Sequence, residues 1–140
     1  MVDFYFLEKS EFDYNQLSQI LEIYKEQGWW KGNSSDLEFL FKLIKGSYCF
    51  LIAIKDKKII GMGRVISDGV SDAYIQDVAV KKEYRGQAIG TNIVKTITTR
   101  LNDNGIRWIG LISVKESQHI YKNNGFQIMK GFVPMLKLNV

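Results

Sequence analysis

A short segment rich in small residues has the composition of a phosphate-binding loop. Gly86, Ala88 and Gly90 follow the basic residue Arg85, and a stretch with helical spacing begins near Ile89. Small side chains let successive backbone N–H groups face one concavity at the positive end of a helix dipole, which suits a pyrophosphate group. The segment is neither a Walker loop nor a Gly-x-Gly-x-x-Gly dinucleotide loop. An ordinary strand-to-helix connection is the alternative interpretation.

Metal-dependent and covalent catalysis are disfavoured by the residue types. His119 is the only histidine and Cys49 the only cysteine, so neither a zinc site with four Cys/His ligands nor a sequence-supported Cys–His pair can be assembled. We expect His119 to face solvent on a short helix and Cys49 to fill the buried face of a strand.

Charge is unevenly distributed along a chain whose net charge is +4. Residues 1–80 contain nine Lys/Arg against twelve Asp/Glu, a balance of −3, and residues 81–140 contain ten against three, a balance of +7. The pattern predicts an anionic ligand for the second half and a cationic one for the first. Nucleic-acid binding is the weaker interpretation, since a pI of about 9.1 is only borderline for it.

Size and composition predict one globular domain over residues 1–140. The chain has 140 residues, of which 46% are hydrophobic and 24% charged, which suits a single core and argues against disorder. Apolar stretches are interrupted before the ~18 residues that a membrane span needs. The first residues lack the pattern of a signal peptide. We therefore expect a cytoplasmic protein with no membrane partner.

Hydrophobic periodicity divides the chain into strands and helices. The predicted strands are Val2–Leu7, Tyr48–Lys55, Lys58–Ile66, Ala73–Val80 and Trp108–Val114, with two further runs at Phe126–Met129 and Val133–Leu138. The predicted helices cover 12–24, 89–102 and 117–123. A further helix has its apolar positions between Leu37 and Ile44, with Ser34-Ser35-Asp36 as N-cap and Gly46 as its stop. Asp56-Lys57 predicts a tight hairpin turn. The fold class is α/β (α+β), a mixed central sheet of six or seven strands, with an antiparallel first half and a parallel central pair, flanked by about four helices.

Three segments together resemble the GCN5-related N-acetyltransferase (GNAT) superfamily. Arg85–Gly90 is similar to its pyrophosphate-binding motif, Arg/Gln-x-x-Gly/Ala-x-Gly/Ala. Tyr74–Val80 looks like its central strand, and Ile120–Phe126 looks like its Phe-Tyr-x-x-x-Gly-Phe segment. The likeness is strongest over residues 58–129. One departure is Val114, which stands where many members have an asparagine that contacts the cofactor.

The resemblance implies acetyl-coenzyme A as co-substrate, whose phosphates suit the basic segment 81–107. In the family the pantetheine arm lies between the central strand and the next parallel strand, and it pairs with main-chain groups at positions filled here by Val78 and Val80. A backbone donor near Val78 would then polarise the thioester carbonyl. The implied cofactor contacts are Val78, Ala79, Val80, Arg85, Gly86, Gln87, Ala88, Ile89, Gly90, Thr91 and Tyr121.

The resemblance also implies a general acid but leaves the base open. The family uses a tyrosine at the position of Tyr121 to protonate the departing thiolate, and a phenol with a reference pKa of about 10 keeps its proton near neutrality. Tyr74 stands where some histone-acetylating relatives carry a catalytic glutamate. Asp77 is the candidate base, with a structural hydrogen-bond acceptor as its alternative role. Other carboxylates that could accept a proton or hold an ammonium group are Asp72, Asp68, Glu22 and Glu26.

The acceptor side is assigned to Trp29, Trp30 and Tyr74. A ring face can hold a cation or an aromatic amine. A hydrophobic clamp between two helices is the alternative role of the tryptophan pair.

The prediction is an N-acetyltransferase that moves acetyl directly to a primary amine in a ternary complex, with a small-molecule acceptor, no metal and no nucleic acid. Alternatives are a non-catalytic acyl-CoA sensor and a protein acetyltransferase acting on N-termini or lysines, and a homodimer is compatible with either.

Overall fold

A computed structural model describes residues 1–8, 12–30 and 36–139. The strands are β1 (Asp3–Phe6), β2 (Cys49–Lys55), β3 (Lys58–Ser67), β4 (Asp72–Val80) and β5 (Trp108–Gly110). The helices are α1 (Tyr14–Glu26), α2 (Asp36–Gly46), α3 (Ile89–Asp103) and α4 (Gln118–Lys122), with 3₁₀ turns at Lys82–Tyr84 and Lys115–Ser117. The predicted Ser34-Ser35 part of the α2 cap lies outside the described residues.

The sheet has the predicted mixed character. Its order is β1-β2-β3-β4-β5, with antiparallel pairing from β1 to β4 and parallel pairing between β4 and β5. The hairpin turn is also confirmed, since Asp56 and Lys57 both have positive φ, 49° and 64°. Two consecutive left-handed residues make the turn whose twist matches that of paired strands.

The predicted number of strands is wrong. The described residues form five strands rather than six or seven, because β5 ends at Gly110 instead of Val114 and the runs 126–129 and 133–138 pair with no strand. Both runs have the apolar composition of strands. A strand also needs a hydrogen-bonding neighbour, and local sequence pattern carries no information about that neighbour.

Two apolar layers cover the two faces of the sheet. On one face α3 packs through Ile93, Ile97 and Leu101 against residues of β2, β3 and β4. On the other face α1 and α2 pack through side chains such as Ile20 and Leu40. The core therefore holds α3, which begins directly after the small-residue loop, and α1, which carries Tyr24, in fixed positions on opposite sides of β4.

Candidate active site

The parallel strands β4 and β5 separate after a short ladder. Their pairing covers Asp72–Trp108, Ala73–Ile109 and Tyr74–Gly110, whereas β4 continues to Val80. The Trp108 ring lies over Gly110, where an added Cβ would come within 2.7 Å of it, and packs against Tyr74 with ring centroids 5.1 Å apart and ring planes inclined by 58°. Beyond this aromatic pair, no strand among the described residues pairs with the β5-facing main-chain groups of β4. Such groups need a hydrogen-bonding partner, and an extended ligand can supply one.

A bulge interrupts β4 beside this opening. Met62 pairs with Ala79 but Arg64 pairs with Gln76, so Asp77 and Val78 together stand opposite Gly63. Asp77 has φ +55°, a left-handed conformation that aspartate tolerates better than most residues. The extra residue reverses the alternation of side chains. Ile75, Val78 and Val80 therefore all face the α3 layer, while Ala79 faces α1 and α2.

The Asp77 side chain joins three elements. Its Oδ2 accepts hydrogen bonds from Arg64 Nε on β3 at 2.6 Å and from the Tyr24 hydroxyl on α1 at 2.8 Å. Burial, and then the charge of Asp77, raise the pKa of Tyr24 well above its usual range, so Tyr24 stays a donor. These contacts favour the alternative role of Asp77, a structural acceptor that holds the bulge. Its role as general base stays a prediction.

The two tryptophans assigned to the acceptor side lie next to this network. The Tyr24 ring packs edge-on against Trp30 at 5.3 Å and Trp29 at 6.3 Å between centroids. Trp30 is half-buried against the α1–α2 layer and also contacts Phe39 at 5.3 Å. Trp29 exposes 48% of its surface. Trp30 therefore fits the clamp, and Trp29 presents ring surface to solvent next to Tyr24.

The small-residue loop has the backbone of an anion-binding nest. Gly86 and Ala88 have φ +80° and +59°, and α3 begins at the next residue, Ile89. Alternating left-handed residues turn successive N–H groups toward one side. Arg85, Gly86, Gln87 and Ala88 are exposed, while Ile89 is buried in the core and offers only its backbone.

Arg85 and Gly90 fix the loop to its surroundings. Arg85 Nε donates to the Val80 carbonyl at 3.1 Å, and its Nη2 lies 3.4 Å from Gln27 Oε1. A Cβ added at Gly90 would lie 3.0 Å from Ile120 Cδ1, so this glycine allows α4 to pack closely on α3. Gly90, the last small residue of the predicted phosphate loop, therefore has a role in packing α4 on α3.

The contact at Gly90 places Tyr121 near the start of α3. Ile120 in the middle of α4 lies on Gly90, and Asn124, just after α4, donates through Nδ2 to the Thr91 carbonyl at 3.1 Å, so α4 is held on the first turn of α3. The Tyr121 ring packs edge-on against Phe126 at 5.9 Å. Burial raises the pKa of Tyr121. A phenol of this kind keeps its proton near neutral pH.

The remaining candidate carboxylates already have hydrogen-bond or ion-pair partners within the protein. Glu26 Oε1 accepts from the Lys82 N–H at 2.7 Å, and Glu22 lies 3.4 Å from Lys81 Nζ. Asp68 accepts from two backbone N–H groups of its own turn, which lowers the pKa of its carboxyl. Asp72 accepts from the Ser71 hydroxyl at 2.7 Å. Their roles toward an ammonium group stay predictions.

Three residues of this region were missed by sequence reasoning. Tyr24 lies at the end of the helix predicted over 12–24, and its hydrogen bond to Asp77 leaves no periodic signal in the sequence. Arg64 was the detectable one, since it is the only arginine among residues 1–80 and lies within an apolar strand. Trp108 falls in the predicted strand 108–114, whose pattern gives it no further role.

Val114, the predicted departure from the family motif, exposes 62% of its surface, and its carbonyl accepts a hydrogen bond from the Ser117 N–H.

Other expectations have simpler outcomes. His119 is exposed and Cys49 is buried, as expected. Within residues 1–8, 12–30 and 36–139, no group of three or more His, Cys, Asp or Glu side chains could hold a metal ion. Over the same residues, no helix combines the length and the apolar character needed to cross a bilayer.

Comparison with known proteins defines the family. The model of the acetyltransferase (GNAT) domain matches residues 46–128, and the chain belongs to this family. GCN5-related N-acetyltransferase 2, chloroplastic, of Arabidopsis thaliana is 37% identical over 73 residues, which are 52% of this chain and 28% of that protein. The chain thus matches less than a third of the length of this curated relative.

Solved structures show the same fold over nearly the whole chain. A GNAT-family acetyltransferase of Streptococcus pneumoniae superposes with a TM-score of 0.80 at 22% identity, covering 99% of this chain and 98% of the other. A predicted acetyltransferase of Clostridium acetobutylicum, solved with acetyl-CoA, has a TM-score of 0.73 at 18% identity, covering 97% and 96%. At these identities the likeness concerns the fold.

Proposed function

We propose that this chain is an acetyl-CoA-dependent N-acetyltransferase that transfers acetyl directly to the primary amine of a small molecule. One observation carries the proposal. β4 leaves β5 after Tyr74, bulges at Asp77 and continues to Val80, a few residues before the nest at Gly86–Ala88. A strand with unpaired main-chain groups that leads to an anion-binding turn suits a ligand with an amide-containing arm and a pyrophosphate.

The residues of the opening fit acetyl-CoA. The exposed loop with its left-handed Gly86 and Ala88 suits the pyrophosphate, and Lys81 and Lys82 add positive charge nearby. The main chain of Val78–Val80 would hold the pantetheine arm, while the side chains of these residues pack into the two core layers. When bound, acetyl-CoA supplies an acetyl group activated as a thioester.

Two groups of the protein would take part in the transfer, a backbone N–H near Val78 and the phenol of Tyr121. In this proposal the N–H near Val78 stabilises the negative charge that develops on the carbonyl oxygen. The attacking nitrogen forms the C–N bond as the C–S bond breaks, Tyr121 gives its proton to the departing sulfur, and the proton that the nitrogen loses restores the phenol through solvent. Burial raises the pKa of Tyr121, so the phenol carries its proton when the thiolate forms. The acceptor must arrive as the neutral amine. Trp29 offers its exposed ring to the acceptor.

Release of free coenzyme A thiol tests the proposal directly. Acetyl-CoA is incubated with the protein and with separate panels of small amines and lysine-containing peptides. We expect amine-dependent thiol release and the acetylated small amine in the mass spectrum. Binding of acetyl-CoA without release would support the sensor, and a consistent preference for peptides would support a protein acetyltransferase.

Gln87→Glu is expected to weaken acetyl-CoA binding about tenfold, which corresponds to about 1.4 kcal/mol. Gln87 is exposed on the loop, so the variant adds one negative charge beside the pyrophosphate position and disturbs little packing. Titration calorimetry measures the dissociation constant. Asn102→Asp, which adds the same charge at an exposed position in the last turn of α3, should leave it within about twofold.

Gly90→Glu would test the loop less cleanly than Gln87→Glu, because the glutamate side chain would displace Ile120 and disturb the packing of α4. An unchanged dissociation constant in folded Gln87→Glu protein would remove the loop from the binding site. An equal loss in Asn102→Asp would show that only total charge matters.

Acceptors with a second positive charge or an aromatic ring are expected to have higher kcat/KM than acidic amines of similar size. Residues 1–80 carry a balance of −3, and Trp29 exposes ring surface on this side. The preference should weaken with salt, because exposed charges are screened over ~10 Å at 0.1 M ionic strength. The measurement is a matched amine panel at two salt concentrations.

Trp29→Ala should reduce the aromatic preference in this panel, whereas Tyr14→Ala, which removes another exposed ring on α1, should not. A preference for anionic acceptors would contradict the charge argument and leave acetyl transfer itself in place.

A further inference from the structure

The start of β4 is exposed on the side of the sheet that carries α1 and α2. Tyr74 and Asp72 lie on this side, because the alternate residues Ala73 and Ile75 pack into the α3 layer. Ile66 on β3 is the register partner of Tyr74 and shares its side. Ile66 and Tyr74 expose 44% and 46% of their surfaces, and Asp72 is exposed. An inner strand of the sheet therefore presents aromatic and acidic side chains to solvent next to the opening between β4 and β5.

Trp108 on β5 and Tyr74 on β4 form a pair of inclined rings, here called the aromatic corner. The ring centroids are 5.1 Å apart and the ring planes are inclined by 58°. Gly110 makes room for the Trp108 ring, since a Cβ there would come within 2.7 Å of it. Trp108 still exposes 39% of its surface. Exposed faces of tryptophan and tyrosine attract cations, so the aromatic corner is suited to an ammonium group.

Carboxylates lie beside the aromatic corner. Asp72 is the register partner of Trp108, and Asp68 lies in the turn that leads into β4. Backbone N–H groups of this turn hold the pKa of Asp68 below its usual range, so its carboxylate keeps its charge. The Arg64 guanidinium, on the same side of the sheet, is already paired with Asp77 at 2.6 Å. The charges near the corner therefore favour a cationic ligand.

The aromatic corner lies along β4 from the place proposed for the thioester. Tyr74 precedes Val78, whose N–H is the proposed donor to the thioester carbonyl, by four residues. A strand advances about 3.3 Å per residue and the bulge at Asp77 shortens it, so the two places are roughly 10–13 Å apart. Exposed Gln76 lies between them on the same side of the sheet, so an extended ligand can reach both.

We propose that Asp72 and the aromatic corner bind a second ammonium group of the acceptor, so that the preferred acceptor is a long linear diamine or polyamine. This inference rests on the proposed acetyl transfer and names the class of its acceptor. The reacting end arrives as the neutral amine and takes the acetyl group, while the far end stays an ammonium ion at the corner. A chain of ~1.5 Å bonds advances about 1.25 Å per bond when extended, so eight carbons place the two nitrogens about 11 Å apart and four carbons only about 6 Å. Diamines of about eight to ten carbons therefore match the distance along β4.

Acetylation rates for amines of graded length test the proposal. Linear diamines with four to twelve carbons are compared with the monoamines of equal length at saturating acetyl-CoA. We expect kcat/KM for the diamines to peak near about eight to ten carbons, and kcat/KM for diaminooctane to exceed that for octylamine by about tenfold. An equal rise for the monoamines, or diamine rates that do not depend on length, would overturn the proposal.

Trp108→Leu and Asp72→Asn should each lower the ratio of kcat/KM for diaminooctane to kcat/KM for octylamine about fivefold. The ratio is informative because a loss of stability or of acetyl-CoA binding affects both amines alike. Tyr14→Leu removes an exposed ring on α1, and Asp56→Asn removes an exposed charge in the β2–β3 turn, where asparagine also tolerates the positive φ. These controls should change the ratio less than about twofold. An unchanged ratio in both Trp108→Leu and Asp72→Asn would show that the corner binds no ammonium group.

Calorimetric titration with diaminooctane separates this inference from the proposed acetyl transfer. The titration is run with and without coenzyme A, and we expect binding that Asp72→Asn weakens about fivefold and Asp56→Asn changes less than about twofold. Such binding without any acetyl transfer would keep the ammonium site and contradict the proposed function. Acetyl transfer without a preference for diaminooctane would contradict the ammonium site alone, and so would the absence of binding in both titrations. Circular dichroism checks that the variants are folded.

Discussion

Tyr121→Phe is expected to lower kcat by about ten- to a thousandfold, the usual range for loss of general-acid help, while the affinity for acetyl-CoA changes only a few-fold. The ring still packs against Phe126, but the proton for the departing sulfur is gone. Steady-state kinetics with a saturating acceptor measure kcat, and calorimetry measures the affinity.

The pH profile separates this role from a packing role. The rate should rise with pH as the acceptor amine loses its proton. Because burial raises the pKa of Tyr121, its ionisation should cause no decline below about pH 10, the reference pKa of a phenol. Tyr48→Phe, which removes the hydroxyl that accepts from Asn104 Nδ2 away from the opening, is the control and should keep wild-type kcat. Wild-type turnover in Tyr121→Phe, with chemistry rate-limiting, would make the tyrosine structural.

Arg64→Met is expected to lower the free energy of unfolding by about 2–4 kcal/mol and kcat/KM with it. Removing one member of a fully buried ion pair costs about 3–5 kcal/mol, because the other charge is left uncompensated. The side chains of Arg64 and Asp77 are 14% and 23% exposed, so a smaller cost is expected here. Urea denaturation measures stability. Glu38→Gln, which breaks the exposed pair with Lys42, should cost less than about 0.5 kcal/mol.

Variants of Arg64 and Asp77 also show whether Asp77 is a general base or a positioning residue. If Asp77 holds the bulge, Asp77→Asn and Arg64→Met should lower kcat/KM to similar extents, the double variant should lose little more than either, and the ascending limb of the pH profile should stay. Tyr24→Phe should produce a smaller loss of the same kind, since one of the two hydrogen bonds to Asp77 Oδ2 remains. Loss of the ascending limb in Asp77→Asn, with Arg64→Met nearly normal, would make Asp77 the base.

Local pattern was sufficient for the helices, the hairpin and the loop. The helix predicted over 89–102 is observed as Ile89–Asp103, and Asp56-Lys57 forms the expected turn. These features depend on residues close in sequence, whose spacing and backbone preferences are visible in the residue types. The GNAT family was recognisable for the same reason, because its motifs are short and contiguous.

The working geometry of the site was decided by the tertiary structure. The bulge at Asp77 is held by Arg64, 13 residues away, and by Tyr24, 53 residues away. The opening between β4 and β5 depends on where two strands separate, and the lack of strand pairing over 126–129 and 133–138 depends on which segments find a neighbouring strand. Each of these is a choice among partners distant in sequence, made by packing and hydrogen bonding together. Residue types and spacing indicate which side chains could form a contact, but the packing of the sheet against its two helical layers determines which contacts form.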